Sequence, residues 1–143
     1  MSRREDRVRE AYELSRMLVA VTDEAKSDFT RIAASFGLSV PMARALVSLE
    51  QPCPMSELAD QLACDRSYVT SIADHLEQQD LAERAPGTDR RVKLLQLTQR
   101  GETVRNELTQ AIAERALVLR RLNDEQRRSL RPLLEALTGD AGR

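Results

Sequence analysis

Apolar side chains recur every three to four positions over the first 36 residues, at Val8, Tyr12, Leu18 or Val19, Ala25, Phe29, Ile32 and Phe36, with Ser15 and Thr22 completing the row. That spacing predicts one long amphipathic helix from Ser2 to about Phe36, or two with a weak break near Thr22. Gly37 to Pro41 interrupts it, because glycine tolerates a left-handed cap and Ser39 stands just before a proline suited to a first helical turn. A short helix from Pro41 to about Leu49 follows. It is stopped by Gln51-Pro52-Cys53-Pro54, in which neither proline can donate a backbone hydrogen bond. Ser56 then reads as the N-cap of a helix through Leu58, Ala59 and Leu62, with Glu57 near the positive end of its dipole. Ala63-Cys64-Asp65 turns the chain, and Asp65 caps a further helix in which Val69, Ile72, Ala73 and Leu76 form the buried stripe.

After Asp80 the period changes from 3.6 to 2. Leu81, Glu83 and Ala85 alternate with Ala82, Arg84 and Pro86, and Val92, Leu94 or Leu95, and Leu97 answer beyond a tip of Gly87-Thr88-Asp89-Arg90-Arg91. A two-stranded hairpin is predicted. Helical periodicity returns after Thr98, a plausible N-cap, and Val104, Leu108, Ile112 and Leu119 carry it to about Arg121. Asn123-Asp124-Glu125-Gln126 has the form of a capping box and opens a last helix striped by Leu130, Leu133, Leu134 and Leu137. Pro132 inside it should kink it, and the tail from Gly139 to Arg143 should fray.

With only four aromatics (Tyr12, Phe29, Phe36, Tyr68) and no Trp, the core must be built from Leu, Val, Ile and Ala, which suits helices. The expected fold class is therefore mainly α with a small β-hairpin. At 143 residues one domain is the default. No run of eighteen apolar residues occurs, and Arg3, Arg4, Glu5, Asp6 and Arg7 lead into an amphipathic helix where a signal peptide would have an apolar run. No membrane partner and a cytoplasmic location are expected. There Cys53 and Cys64 stay reduced. A nucleophile and base pair, a Gly-rich phosphate loop and a metal-ligand set are all lacking, so no enzyme, cofactor or metal is expected. The single histidine, His75, reads as a surface residue.

Net charge is −1, so nothing global announces a nucleic-acid partner. Locally the balance differs. From Arg84 to Arg100 five bases (Arg84, Arg90, Arg91, Lys93, Arg100) face one acid, Asp89. On the helix after Asp65, the face opposite the buried stripe carries Ser67, Thr70, Ser71, Asp74 and Gln78, with Arg66 and Tyr68 on its flanks. Short hydroxyl side chains let a helix backbone approach base edges in a DNA major groove, while Arg66 can reach a phosphate or a guanine. Tyr68 can meet a base, a phosphate or the neighbouring helix. Asp74, which would repel phosphate, is expected to anchor a neighbouring group. A basic finger bearing Arg90, Arg91 and Lys93 suits the minor groove. The bland alternatives are a solvated helix face and a soluble loop tip. Clustering of the bases against a single acid argues against the second.

Two motifs carry a family resemblance. The run Leu62 to Glu77 (LACDRSYVTSIADHLE) resembles the recognition helix of the MarR (multiple antibiotic resistance regulator) family, and Asp89 to Gly101 (DRRVKLLQLTQRG) resembles its wing, an Asp-x-Arg followed by a strand and Leu-Thr-x-x-Gly. The likeness extends, more weakly, over nearly the whole chain. It implies a homodimeric winged helix-turn-helix regulator of double-stranded DNA, both chain ends interleaved into a helical dimerisation region, with a small-molecule or oxidant pocket between that region and the DNA lobe. It further implies that Asp89 pairs with Arg91 to set the wing tip and that an arginine there enters the minor groove. One departure is that the family usually has Gly where this chain has Asp80, just past the recognition helix; Asp adopts a left-handed cap less comfortably.

Within a single MarR-like domain over 1–143, residues 1–36 and 102–143 are then the dimerisation helices and 41–101 the DNA-binding lobe. The terminal sections offer more apolar stripe than one small lobe can cover, so an obligate homodimer on a pseudo-palindromic operator is expected. Repression, with affinity set by a small aromatic or apolar effector, is the leading function. Cys64 reads first as a small hydrophobe, with oxidation as the alternative route of control, and Cys53 between two prolines reads as a turn residue. The competing class is a winged-helix module for protein contact or non-specific DNA binding. Salt dependence and sequence competition separate the two.

Overall fold

A computed structural model describes residues 2–139, so most of the expected frayed tail lies outside the described residues. Helices α1 (Arg3–Ser35), α2 (Val40–Ser48), α3 (Met55–Leu62), α4 (Arg66–Gln78), α5 (Gln99–Arg115), α6 (Leu117–Arg121) and α7 (Asp124–Thr138) are joined by three short strands, β1 (Cys53–Pro54), β2 (Ala82–Pro86) and β3 (Lys93–Leu97). The first helix is continuous: at Thr22 the hydroxyl donates back to the Leu18 carbonyl and the helix runs on. Gly37 takes the left-handed cap (φ 70°), and Ser39 caps α2 by accepting from the Met42 N–H.

The chain divides into two compact units, residues 29–111 and residues 1–28 with 112–143. The first unit closes around its own core. Leu46, Leu58, Val69, Leu76, Leu95 and Leu108 from α2, α3, α4, β3 and α5 are all fully buried. Burial of each such side chain stabilises by roughly 1.5–3 kcal/mol, which is what holds α3 and α4 in fixed relation to the sheet. The expected stripe of α4, Val69, Ile72, Ala73 and Leu76, is the buried one.

Three expectations are corrected here. The hairpin is a three-stranded antiparallel sheet in the order β1-β3-β2, with Leu95 opposite both Cys53 and Arg84. Cys53 is thus a buried strand residue and no mere turn. Because Pro54 continues that strand with extended backbone (φ −56°, ψ 140°) straight into α3, Pro54 is the N-cap; Ser56 makes no cap bond and lies inside the first turn. The alternation also settles between Leu94 and Leu95: Leu95 points inward, and Glu83 turns outward to accept from Gln96.

Thr98 caps α5, its hydroxyl accepting the Gly101 N–H at 3.0 Å. In the second unit the expected single helix to Arg121 is broken at Ala116, whose backbone leaves the helical region (φ −58°, ψ 134°). The break lets Leu117 turn inward, and it directs Arg120 to Asp28 and Arg121 to both oxygens of Glu24, with Arg121 held further above its usual range by that carboxylate. The capping box at Asn123 forms, and α7 continues through Pro132 to the left-handed Gly139. Leu117 is the only described residue of this unit in the buried core, whereas Val8, Tyr12, Met17, Leu133 and Leu137 are each more than 60% exposed. No described helix is long and apolar enough to cross a membrane.

Candidate nucleic-acid interface

The site is built on the first unit. Ala63 ends α3 in a left-handed conformation (φ 52°), and the Cys64 N–H reaches back to the Ala59 carbonyl. Asp65 then starts α4: its Oδ1 accepts the Tyr68 N–H at 2.8 Å and the Ser67 hydroxyl at 2.8 Å. Those two bonds, the backbone one foremost, hold the Asp65 carboxyl below the usual carboxylate range.

Beyond this cap Arg66, Ser67, Tyr68, Thr70 and Ser71 are all exposed. Two of the hydroxyls are already engaged as donors, Ser67 to Asp65 and Thr70 to the Arg66 carbonyl at 2.9 Å. Toward an approaching ligand they therefore present lone pairs, which suit the amino donors of cytosine and adenine in the major groove.

The hairpin β2–β3 carries the positive finger. Its tip is closed by the Gly87 N–H to the Val92 carbonyl and the Val92 N–H to the Asp89 carbonyl. The Arg91 backbone N–H donates to Asp89 Oδ1 at 3.1 Å, which leaves the Arg91 guanidinium exposed. Arg90 and Lys93 are exposed as well. A groove of about 660 Å³ brings Arg66 and Thr70 of α4 together with Arg84, Arg91 and Lys93 of the hairpin, and Met55 and Ser56 at the start of α3 line it too. Ser67, Tyr68, Ser71 and Arg90 lie outside this groove.

Two features were not read from the sequence. Ser56, released from capping, faces the groove, and its signal was the Cys53-Pro54 pair before it, which forms a strand. Arg84 was counted with the basic wing, yet its guanidinium pairs with Asp74 (Nη2–Oδ1, 2.7 Å) and Glu77 (Nη1–Oε2, 2.7 Å) of α4. Asp74 thus anchors a side chain, as expected, and its bond is the first cause of a raised Arg84 pKa. The positive charge left free on the wing is that of Arg90, Arg91 and Lys93.

The wing root explains two more residues. Asp80 stands where the resembled family has Gly, and it takes the left-handed conformation (φ 58°). A Cβ on Gly101 would lie 1.8 Å from the Leu81 carbonyl oxygen, so the glycine of Leu-Thr-x-x-Gly is required by the close crossing of α5 over the start of the hairpin.

Of the cysteines, Cys53 is buried, and burial, aided by the nearby Glu57 carboxylate, pushes its thiol up. Cys64 is a half-buried free thiol in the turn before α4. No group of three or more His, Cys, Asp or Glu able to hold a metal occurs among the described residues.

Two helices joined by a tight turn, with a sheet hairpin beside the second, define a winged helix-turn-helix lobe. The model of the MarR family matches residues 38–93, from just before α2 to the first residue of β3. Among solved structures, a MarR family protein of Bacillus stearothermophilus is 26% identical over 91% of this chain and 96% of its own, with a TM-score of 0.77. Wild-type MarR of Escherichia coli, without ligand, is 20% identical over 87% of this chain and 95% of its own (TM-score 0.75); a mutant of it has been solved in complex with operator DNA (20%, 90% and 95%, TM-score 0.70). A MarR family protein of Mycobacterium tuberculosis in complex with p-aminosalicylic acid is 24% identical over 87% and 98% (TM-score 0.70). A search of curated protein sequences finds no match. Residues 38–93 thus match the MarR family, and the fold is that of the solved MarR-family winged-helix structures.

Proposed function

We propose that the protein is a sequence-specific repressor that binds a pseudo-palindromic operator as a homodimer and loses affinity when a small-molecule effector binds. The observation that carries this reading is the open face of α4, where Ser67, Thr70 and Ser71 stand beside Arg66, with the unpaired bases of the wing on the same compact unit. In this reading α4 enters the major groove and Arg90, Arg91 and Lys93 enter or flank the minor groove. Tyr68, nearly half exposed, is assigned to the DNA side, and Asp89 holds the wing tip. The operator-bound Escherichia coli relative supports a duplex as partner, and a cytoplasmic location goes with it.

The dimer is supported by the apolar side chains left open on α1, α6 and α7, too large a surface for a monomer to leave wet. Residues 1–36 and 102–143 would then pair the subunits and residues 41–101 read DNA. A two-fold axis would set two α4 helices about one DNA turn, roughly 34–36 Å, apart. Ligand control is supported by the relative solved with p-aminosalicylic acid, an aromatic acid. Cys64 is the more accessible thiol. Loss of binding in mild peroxide that Cys64→Ser prevents would move control from ligand to thiol.

Footprinting of the purified protein on genomic DNA, followed by competition and salt titration, tests the whole. A specific regulator keeps a large preference over competitor DNA while losing affinity steeply with salt. Arg91→Ala should weaken binding to every duplex by at least ~1 kcal/mol, and substitutions at Ser67 or Thr70 should change the preferred base. Unchanged affinity in Arg91→Ala would remove the wing from the interface.

A further inference from the structure

We infer that Arg84 is a positioning residue: without touching DNA, it fixes the wing against the recognition helix so that both can enter adjacent grooves. The inference rests on the DNA-binding function proposed above. Arg84 lies on β2 opposite Leu95, on the inward side of the sheet. Its Nη2 meets Asp74 Oδ1 at 2.7 Å and the Thr70 carbonyl at 3.5 Å, and its Nη1 meets Glu77 Oε2 at 2.7 Å. The second oxygen of Glu77 accepts the Arg84 backbone N–H at 3.1 Å. One carboxylate therefore grips both the backbone and the side chain of the same strand residue.

Thr70, Asp74 and Glu77 stand at i, i+4 and i+7 and form a single row along two turns of α4. A planar guanidinium fork can span such a row, whereas a lysine ammonium is a point charge that cannot. Contact at several points along the row resists rotation of α4 about its own axis relative to β2. Core packing and the Leu81 N–H to the Leu76 carbonyl fix the two elements at the root of the hairpin, and the Arg84 contacts set their rotation farther along the strand. Rotation matters because the hydroxyl face is narrow: a turn of α4 by even a fraction of one residue's 100° step moves Ser67, Thr70 and Ser71 away from base edges while the wing stays on the backbone.

Arg84 lines the groove between α4 and the wing, yet its guanidinium is engaged by the two carboxylates and is not offered to a phosphate. Its side chain is only 25% exposed, and a phosphate would have to displace two carboxylates at short range. The pairing also offsets part of the repulsion that Asp74 and Glu77 would direct at DNA.

A duplex selected from a random library by the wild-type protein, and a scrambled duplex of the same length, provide the test. Affinity for both is measured across a salt series for wild type, Arg84→Lys, the uncharged triple variant Arg84→Met/Asp74→Asn/Glu77→Gln, and Arg91→Ala. With Arg84 as a positioning group, Arg84→Lys holds scrambled-duplex affinity within about twofold and keeps the salt slope, while preference for the selected duplex falls about tenfold or more at unchanged melting temperature. The triple variant loses preference in the same way. Near-wild-type preference in Arg84→Lys, or a parallel loss on both duplexes in the triple variant with a slope shallower by about 0.9, would mark a phosphate contact and overturn the inference. Should the triple variant not fold, Arg84→Lys decides alone. Failure of the wild type to select any duplex, or Arg91→Ala binding like wild type, would count against the DNA reading itself; loss of preference confined to the Arg84 variants could not arise that way.

Discussion

Single residues at the ends of elements set how closely the parts of the lobe approach. At Gly101 there is no room for even one carbon beside the Leu81 carbonyl. Gly101→Ala should therefore lower stability by about 3 kcal/mol, at the upper end of overpacking costs, read as a shift of the urea midpoint. The opposite effect is expected at Ala63, exposed and left-handed between α3 and α4. Left-handed backbone costs an L-residue roughly 1–2 kcal/mol, and added glycine freedom in the unfolded chain returns about 0.4–1 of it. Ala63→Gly should raise stability by about 0.5–1 kcal/mol on the same urea curve. The turn at Ala63-Cys64-Asp65 was legible in the sequence, but the left-handed residue was not, because alanine carries no marker for it.

At the scale of elements, α4 owes its first turn to Asp65, whose depressed pKa has a consequence for pH. The carboxylate is favoured in the folded state, so its contribution to stability is complete above the unfolded value near 3.8 and disappears as pH falls through the lower folded value. Wild type and Asp65→Asn should therefore differ at neutral pH and converge in strongly acid solution; a difference independent of pH would show that the cap does not depend on charge. The periodicity of α1, α4 and α7 was legible because each has a clear cap or an uninterrupted row of apolar positions. The two-residue strand β1 was not, since Cys53 and Pro54 earn their strand only by pairing with Leu95 and Leu94. The break at Ala116 escaped for a similar reason: no Gly or Pro marks it, and inward-turned Leu117 is seen only after folding.

In the whole molecule the burial is uneven. Residues 29–111 enclose nearly all of the described core, whereas the terminal helices leave Leu133 at 62% and Leu137 at 65% exposed. A capped, amphipathic α7 with no buried residue of its own calls for a partner surface. The protein should sediment as a dimer at micromolar concentration. The double substitution Leu133→Glu/Leu137→Glu should give monomers that keep the folded lobe but bind the operator at least about tenfold more weakly, since one lobe makes half the phosphate contacts. A wild-type monomer would contradict the proposed assembly.

The caps at Asp65, Thr98 and Asn123, the buried stripe of α4 and the wing motif were determined by the sequence alone. Each depends on hydrogen bonds or periodicity within a few residues, and local chemistry is enough to specify those. What only the tertiary structure decided lies between segments distant in the chain: the third strand, the choice of Leu95 over Leu94, the crossing at Gly101, and the transfer of Arg84 from the basic finger to Asp74 and Glu77. A charge in a sequence has a sign but no partner. Packing brought two carboxylates within 2.7 Å of Arg84 and left Arg91 exposed.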